Sequence, residues 1–457
     1  MSFHAFLAEL TAELALFAAA GYILYSLDDL AVDLLYLGHR LIASLRGRGG
    51  VRLTARDLTS DLRKPGWLVL FVPAWDEATV IGSMLRATLQ RLDYPDFTIM
   101  VGYYRNDPAT LAAIEAVGDG RVVPVRVNAD GPTTKADCLN HLYAALARLE
   151  ATEGRRAKAV VLHDAEDLVH PLELRLYDRL VGGVGAVQVP VQPIPDAGSP
   201  WIAGHYCDEF AESHGKELVV RQMVGASVPL AGVGAAINRE ALARLATAHE
   251  GLPFSGGSMT EDYEMGLRLG AMGERTLFVR LPEAEGSAAV IASRGQFPGT
   301  LGAAVRQKAR WLGGIALAGW DRLGWSGGWG EHWFRMRDRR GPLAAVLLAT
   351  GYLAAFLWGQ LWLASALGAP PAPRFSPLLA TLLQINLCFL LWRMSMRIAF
   401  TTAAYGWGEG LSSVPRILAA NLITLLAMYR AVKLHLSGGP KGWDKTAHTF
   451  PADWNKP

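Results

Sequence analysis

The sequence predicts an α/β domain built on a mostly parallel sheet, joined to transmembrane and interfacial α-helices. Three observations carry this. Between residues 57 and 340, short apolar runs of strand character alternate with segments of helical spacing, the pattern of a parallel sheet covered on both faces. Outside that block lie charge-free runs at 342–368 and 375–392, and a bilayer core takes about 20 apolar residues to cross. The chain is also apolar as a whole. Of its 457 residues 51% are hydrophobic and 19% charged, against roughly 25% charged in soluble domains, and its mean hydropathy is +0.19.

The remaining bulk properties narrow the function. A net charge of +2 argues against a broad nucleic-acid surface. Cys138, Cys207 and Cys388 are far apart, so neither a disulfide framework nor a zinc site is expected, and a reducing compartment fits. The first residues lack the basic region and cleavage site of a signal peptide.

The membrane segments follow in order. Residues 7–27 are apolar apart from Glu9 and Glu13. No Lys or Arg precedes Arg40, after which Arg46, Arg48, Arg52 and Arg56 follow. This asymmetry places the N-terminus outside and the next domain in the cytoplasm, with residues 1–40 as an N-terminal transmembrane helix. Asp28, Asp29 and Asp33 leave a buried or interfacial helix as the other reading. Residues 342–368 form the strongest span, with Arg335, Arg337, Arg339 and Arg340 at its cytoplasmic end. Residues 375–392, between Arg374 and Arg393, read as the return. The run 417–429, flanked by Arg416 and Arg430, is short for a span and reads as interfacial or re-entrant, as does 398–413. The expected layout is a catalytic domain at 57–340, membrane and interfacial helices at 341–435, and a cytoplasmic tail at 436–457. Three spans are expected. A fourth, with the tail outside, is the competing count.

Within the α/β block, strands are expected at 67–73, 98–104, 122–127 and 159–162, and helices at 77–92, 110–116 and 135–149. In such sheets ligands bind at the carboxyl ends of the strands, and the polar motifs fall there. The first strand ends in VPAWDE, carrying Pro73 and Glu77, and the second in YYRND, carrying Asp107. These carboxylates can meet a base or ribose, or simply cap a helix. Lys135 opens a helix, where the dipole favours anions. A phosphate partner would resolve the mismatch, and a solvated lysine is the plain alternative. Asp164, Glu166 and Asp167 crowd the end of the fourth strand, and Mg²⁺ or Mn²⁺ bridging a diphosphate would relieve their repulsion. Glu261 and Asp262 begin a later helix, placed for general-base work or for dipole compensation. Gln307, Arg310 and Trp311 share one helical face, suited to a phosphate and a sugar ring or to a basic, membrane-proximal helix. The glycines at 182–185 and 232–234 fit no phosphate-loop pattern. His163, His170, His205, His214 and His448 have no zinc-ligand spacing, and no GxSxG elbow occurs.

Taken in chain order, PAWDE, Asn106-Asp107, the Lys135 helix ending in LN, Asp164-Ala165-Glu166, TED and QxxRW resemble family 2 glycosyltransferases of the cellulose-synthase and hyaluronan-synthase type, over about residues 67–311. Within that family the set resembles the bacteriophage adsorption protein B-like membrane glycosyltransferases. HDAEDLVHP, Asp28-Asp29, YGWGEGLSSVPR and the tail WDKTAH carry the closer similarity. The resemblance implies a GT-A-like nucleotide-sugar-binding domain and an inverting hexosyltransferase at a bacterial inner membrane. It implies a donor, a UDP-sugar first, held by Pro73, Glu77, Asp107, Lys135, Asp164, Gln307 and Arg310. It implies Mg²⁺ or Mn²⁺ on Asp164 and Glu166, Asp262 as base beside Glu261, and Trp311 at the acceptor end. The DxD position reads Asp-Ala-Glu, and the longer arm of Glu166 would shift the ion. Implied partners are the nucleotide sugar, a glycan or lipid-linked acceptor, the bilayer, and export partners or a second copy, with an envelope or exported glycan as product and a phage-receptor role in some relatives. The tail near residues 443–448 would close over the donor. Transfer of one sugar to a lipid carrier and a non-catalytic receptor or scaffold are the rival readings.

Overall fold

A computed structural model describes residues 3–45, 53–59, 64–284, 287–370, 374–438 and 448–451. The linker at 46–52 and the tail residues 443–447 lie outside the described residues.

A 43-residue helix α1 (Phe3–Leu45) and a short α2 (Ala55–Thr59) precede the sheet. Then come β1 (Leu68–Pro73), α3 (Ile81–Arg91), β2 (Phe97–Tyr104), α4 (Pro108–Glu115), β3 (Val122–Val127), α5 (Lys135–Glu153) and β4 (Ala159–Leu162). These are the four strands and three helices expected from the alternation. The second half adds α6 (Glu173–Leu180), β5 (Ala186–Gln188), β6 (Val191–Pro193), α7 (Ile202–Glu212), α8 (Leu218–Met223), β7 (Ala235–Asn238), α9 (Arg239–Ala248), α10 (Glu261–Ala271), β8 (Thr276–Phe278) and β9 (Ser293–Gly295). It ends with α11 (Leu301–Leu312), α12 (Gly319–Leu323), α13 (Trp329–Arg339), α14 (Gly341–Ala366), α15 (Pro377–Tyr405) and α16 (Trp407–Leu436).

The main sheet has seven strands in the order β3-β2-β1-β4-β7-β5-β8. Only β7 runs against its neighbours, while β6 and β9 form a separate parallel pair. β1 is central and every residue in it is buried. Its side chains alternate between two cores, as strand geometry requires. Leu68, Leu70 and Val72 pack with Ile81, Met84, Leu174 and Tyr177. Val69 and Phe71 pack with Leu139, Leu142, Leu242 and Leu269. The carboxyl ends of β1 and β4 therefore sit mid-sheet, where the polar motifs converge.

The helices outside this block are tied to it by charge. The acidic turn of α1 meets a set of cations. Asp29 lies 2.6 Å from Arg340, 3.0 Å from Arg337 and 3.3 Å from Arg393, and Asp28 lies 2.5 Å from Arg340. Asp33 pairs with Lys216, both 1% exposed, and accepts from the indole of Trp392 at 2.8 Å. The carboxylates that interrupt the apolar pattern of α1 are thus its connection to α13 and α15.

Among the described residues, four helices, α1, α14, α15 and α16, are long and apolar enough to cross a membrane. Two of them differ from expectation. Residues 398–413 are not a separate interfacial stretch: α15 continues to Tyr405, and a 30-residue α16 absorbs the run 417–429. Arg416 does not mark an end, because its guanidinium is buried and bonded to Gly204 O at 2.8 Å and Asp208 at 3.2 Å. α16 meets the α/β domain at two places along its length: Arg416 touches α7, and His435, with Gly438 just past the helix, lines the principal cleft.

Removing one member of a buried ion pair strands the other, typically at about 3–5 kcal/mol. Asp33→Ala should lower the unfolding midpoint in detergent accordingly, whereas Asp33→Leu combined with Lys216→Met should recover most of the loss.

Candidate active site

The turn after β4 is built around a buried histidine. His163 Nδ1 lies 3.0 Å from Asp167 and Nε2 lies 2.9 Å from Glu173. Burial opposes its charge, but Glu173 and Asp167 prevail and push its pKa up to about 10. Asp167 also accepts from the Asp164 amide at 3.0 Å. All three crowded carboxylates line the cleft, and Asp167 also shapes the turn.

Lys135 opens α5, whose N-cap Thr134 accepts from the Asp137 amide at 3.1 Å. The ammonium lies 2.5 Å from Asp164 Oδ1. Burial pulls its pKa down, but Asp164, Glu261 and Asp262 together raise it above the ordinary lysine value. The cation that the α5 dipole disfavours is held by carboxylates from β4 and α10.

Asp262 enters at the start of α10. A loop packed on it is shaped by Gln188 at the end of β5. This buried side chain accepts from the Ala231 amide at 2.8 Å and donates to Val233 O at 2.9 Å and Gly234 O at 3.0 Å. Gly232 thereby adopts φ +76°. A Cβ there would sit 2.5 Å from Asp262 Oδ2 and 3.3 Å from Lys135 Nζ. The pKa of Asp262 is raised by burial against the pull of Lys135, and Glu261 is pushed up to about 7 by burial and by Asp262.

Gln307, Arg310 and Trp311 come from α11. Gln307 Oε1 and Arg310 Nε are buried with no hydrogen-bond partner among the described residues. Such atoms cost free energy unless a ligand meets them. Trp311 packs edge-on to Tyr206 at 6.0 Å between ring centroids. Immediately after α11, residues Gly313–Ala318 form a π-helical stretch, a feature frequent at functional sites. A Cβ on Gly314 would lie 2.5 Å from Thr260 Oγ1, so this stretch abuts the residue before Glu261.

These elements enclose a cleft of about 620 Å³ lined by Lys135, Asp164, Glu166, Glu261, Asp262, Gln307, Arg310 and Trp311. A second cavity of about 290 Å³ shares Asp262 and Trp311 and reaches Arg337 and Arg340. Three residues expected at the donor stand elsewhere. Pro73 is buried at the end of β1, paired with Gly102. Asp107 caps α4, accepting from the Thr110 amide at 3.2 Å and the Asp76 amide at 2.6 Å. Glu77 lies beside the cleft with Glu166 and His448: His448 Nδ1 is 2.8 Å from Glu77 Oε1 and 3.1 Å from Glu166 Oε2. One ligand atom from each of these three lies within 4.8 Å of the others, a grouping able to hold a metal ion. Asp164, expected as a ligand, is not among them. Gln188 and the part played by Gly232 escaped sequence reasoning, because a loop's φ angle leaves no periodic signal; the tail was expected over the donor, and His448 stands beside Glu77 and Glu166.

A mostly parallel sheet whose cleft gathers carboxylates at a helix start, an unmet guanidinium nitrogen of Arg310 and a metal-competent cluster nearby fits a nucleotide-sugar-dependent glycosyltransferase. The family model described as "Glycosyltransferase like family 2" matches residues 65–314, and the chain belongs to that family. It is 35% identical over 461 residues to Bacteriophage adsorption protein B of Escherichia coli (strain K12) and to Bacteriophage N4 adsorption protein B of Escherichia coli O157:H7, matching 93% of this chain. The chain spans about 60% of the length of these relatives. Its fold is similar to that of a mannosyltransferase from Pyrobaculum calidifontis, with TM-score 0.51 and 17% identity over 87% of this chain and 97% of that one.

Gly232→Ala should displace Asp262. Misplacement of a reacting group by about 1 Å can cost 10²-fold, so turnover should fall by about that factor with little change in donor affinity, measurable in steady-state kinetics.

Proposed function

We propose that this chain is an inverting hexosyltransferase that moves a sugar from a nucleoside-diphosphate donor, a UDP-sugar first, to a growing envelope or exported glycan. The observation that carries this is Asp262, facing the cleft in which Gln307 and Arg310 present unmet polar atoms. Asp262 takes the proton of the acceptor hydroxyl, and that hydroxyl displaces the diphosphate with inversion. Arg310 pairs with the leaving phosphates, and the Trp311 ring supports the acceptor. Lys135 holds Asp164 in place beside the donor through their ion pair. No covalent sugar–enzyme intermediate is required.

The oxygen and nitrogen donors at Glu166 and its neighbours suit Mg²⁺ or Mn²⁺. Such an ion would supply positive charge against the departing diphosphate. The Pyrobaculum enzyme is described in complex with GDP-Man and Mn²⁺, in keeping with this assignment.

We further infer three crossing helices, α1, α14 and α15, in a bacterial inner membrane, with the catalytic domain in the cytoplasm. A crossing α16 would put Arg416 and His435 on opposite sides of the membrane, yet both positions meet the catalytic domain. The name of the Escherichia coli relatives supports a product displayed at the surface, where phage adsorb. Transfer of a single sugar to a lipid carrier remains the second reading, favoured by the cavity that runs from Asp262 to Arg340 at the start of α14.

Purified protein in detergent, given a panel of nucleotide sugars with Mg²⁺ or Mn²⁺ and lipid extract, should release nucleoside diphosphate from one donor. A chelator should stop the release. Asp262→Asn should lower it by about 10²–10⁴-fold, the range for general-base catalysis. Silence with every donor would favour a non-catalytic receptor.

Because Glu261 and Asp262 hold their proton above the ordinary carboxylate range, the free base disappears as pH falls. kcat/KM should therefore decline on the acid side of neutrality, as a pH–rate profile would show. A profile flat down to pH ~5, near the ordinary carboxylate range, would exclude this pair as the base.

A further inference from the structure

We propose that α13, with the tryptophans of the loop before it, is seated in the headgroup layer of the cytoplasmic leaflet, so that the catalytic domain makes a lipid contact of its own beside the spanning helices. The inference rests on the reading of α14 as a crossing helix.

α13 carries its charges on the inside. A helix facing water turns charged side chains outward and buries its large apolar ones. Here the reverse holds. Arg335 lies 3.0 Å from Glu331, Arg337 lies 3.0 Å from Asp29, and Asp338 lies 2.9 Å from Arg221. Arg339 donates to Gly324 O at 2.7 Å, and Arg340 lies 2.6 Å from Asp29. Among the described residues from 323 to 346, no charged residue is exposed. The outward positions are instead Trp329, at 71% exposure, His332, and Met336, at 42%.

This face is continuous with one that meets lipid. Positions 329, 332 and 336 follow helical spacing, and Leu343 and Val346 come next, each 53% exposed on α14. Only Arg340 separates the two helices. The preceding loop widens the face with Trp320 and Trp325, which are also exposed. Their rings meet edge-on at 5.6 Å, and the Arg339 guanidinium lies 5.3 Å and 4.5 Å from the two ring centroids. These tryptophans are held in place.

Their height is fixed by α1. The Trp333 indole donates to Asp28 at 2.6 Å, and Asp28 also holds Arg340 at the start of α14. Trp329 packs on Trp333 with ring centroids 5.1 Å apart. Trp329 therefore stands at the level where α14 enters the hydrocarbon, the level at which tryptophan is enriched in membrane proteins. An exposed apolar face of this kind marks an interaction surface, and its continuity with α14 selects lipid as the occupant. With no exposed cation on it, the contact depends on ring burial and needs no anionic lipid. Arg322 of α12, two residues after Trp320, lines the cleft, so the lipid contact lies behind one cleft wall.

The test uses the full chain in phosphatidylcholine nanodiscs. Cys388 is exposed, whereas Cys138 and Cys207 are buried, so Cys388→Ser supplies the background. A nitroxide is attached in turn to Trp329→Cys, Met336→Cys, Val346→Cys on α14, and Glu153→Cys at the end of α5 away from the cleft. Power saturation compares relaxation by oxygen, which partitions into lipid, with relaxation by a water-soluble nickel chelate. Labels at 329 and 336 should give an oxygen-to-nickel ratio above that at 153 and below that at 346. A ratio at 329 and 336 equal to that at 153 would overturn the proposal. Shielding of both labels from both reagents would overturn it too, because a protein surface would then cover the face. Unfolding midpoints show whether each variant is folded; if Trp329→Cys is not, the label at 336 decides. Should the label at 346 match that at 153 as well, the reading of α14 as a span falls with the proposal, while nucleoside diphosphate release tests the transferase reading separately.

Discussion

The site depends on one ammonium group. Lys135 stands where β4, α5 and α10 converge, and Asp164, Glu261 and Asp262 all act on it. Without that charge, the carboxylates at the ends of β4 and α10 would be left with their mutual repulsion. With it, Asp164 is held at 2.5 Å, and the pull of Lys135 on Asp262 offsets part of the upward push of burial. The carboxylates of β4 and α10 are thereby coupled, so a change in either is felt by the other through Lys135.

A second charge system does comparable work outside the sheet. Asp28, Asp29 and Asp33 would be liabilities in a helix that simply crossed lipid. Here they face Arg337, Arg340, Arg393 and Lys216, so the first helix is locked in rotation and depth against α13 and α15. The hydroxyls of Tyr22 and Tyr25 add bonds to Leu347 O at 3.2 Å and Arg340 O at 3.0 Å. The catalytic domain and its membrane helices are joined by specific directional contacts as well as by apolar packing.

Much of this was legible in the residues. β1 and β4 are continuous apolar runs because a strand inside the sheet is buried on both faces, and β3 and β4 fall at the expected positions. The cleft residues from Lys135 to Trp311 were legible because their chemistry recurs in one order. What escaped was of three kinds. β5 to β9 have only three or four residues each, too few to show a period. Asp107 was ambiguous because a donor-binding carboxylate and a helix cap have the same local sequence, and its side chain caps α4. The extent of α16 was hidden because Arg416 resembles a flanking charge until Asp208 and Glu409 are seen beside it.

The length of α1 has a consequence of its own. Its 43 residues extend roughly 65 Å at 1.5 Å per residue, about twice the thickness of a hydrocarbon core. The acidic turn lies past its midpoint, so in the proposed membrane arrangement the helix would set the height of the sheet above the lipid surface. An acceptor carried in that surface would then be met by lateral diffusion in two dimensions. For such an acceptor, the governing concentration would be molecules per unit area of membrane, and diluting the protein into more lipid would slow the reaction even at constant volume.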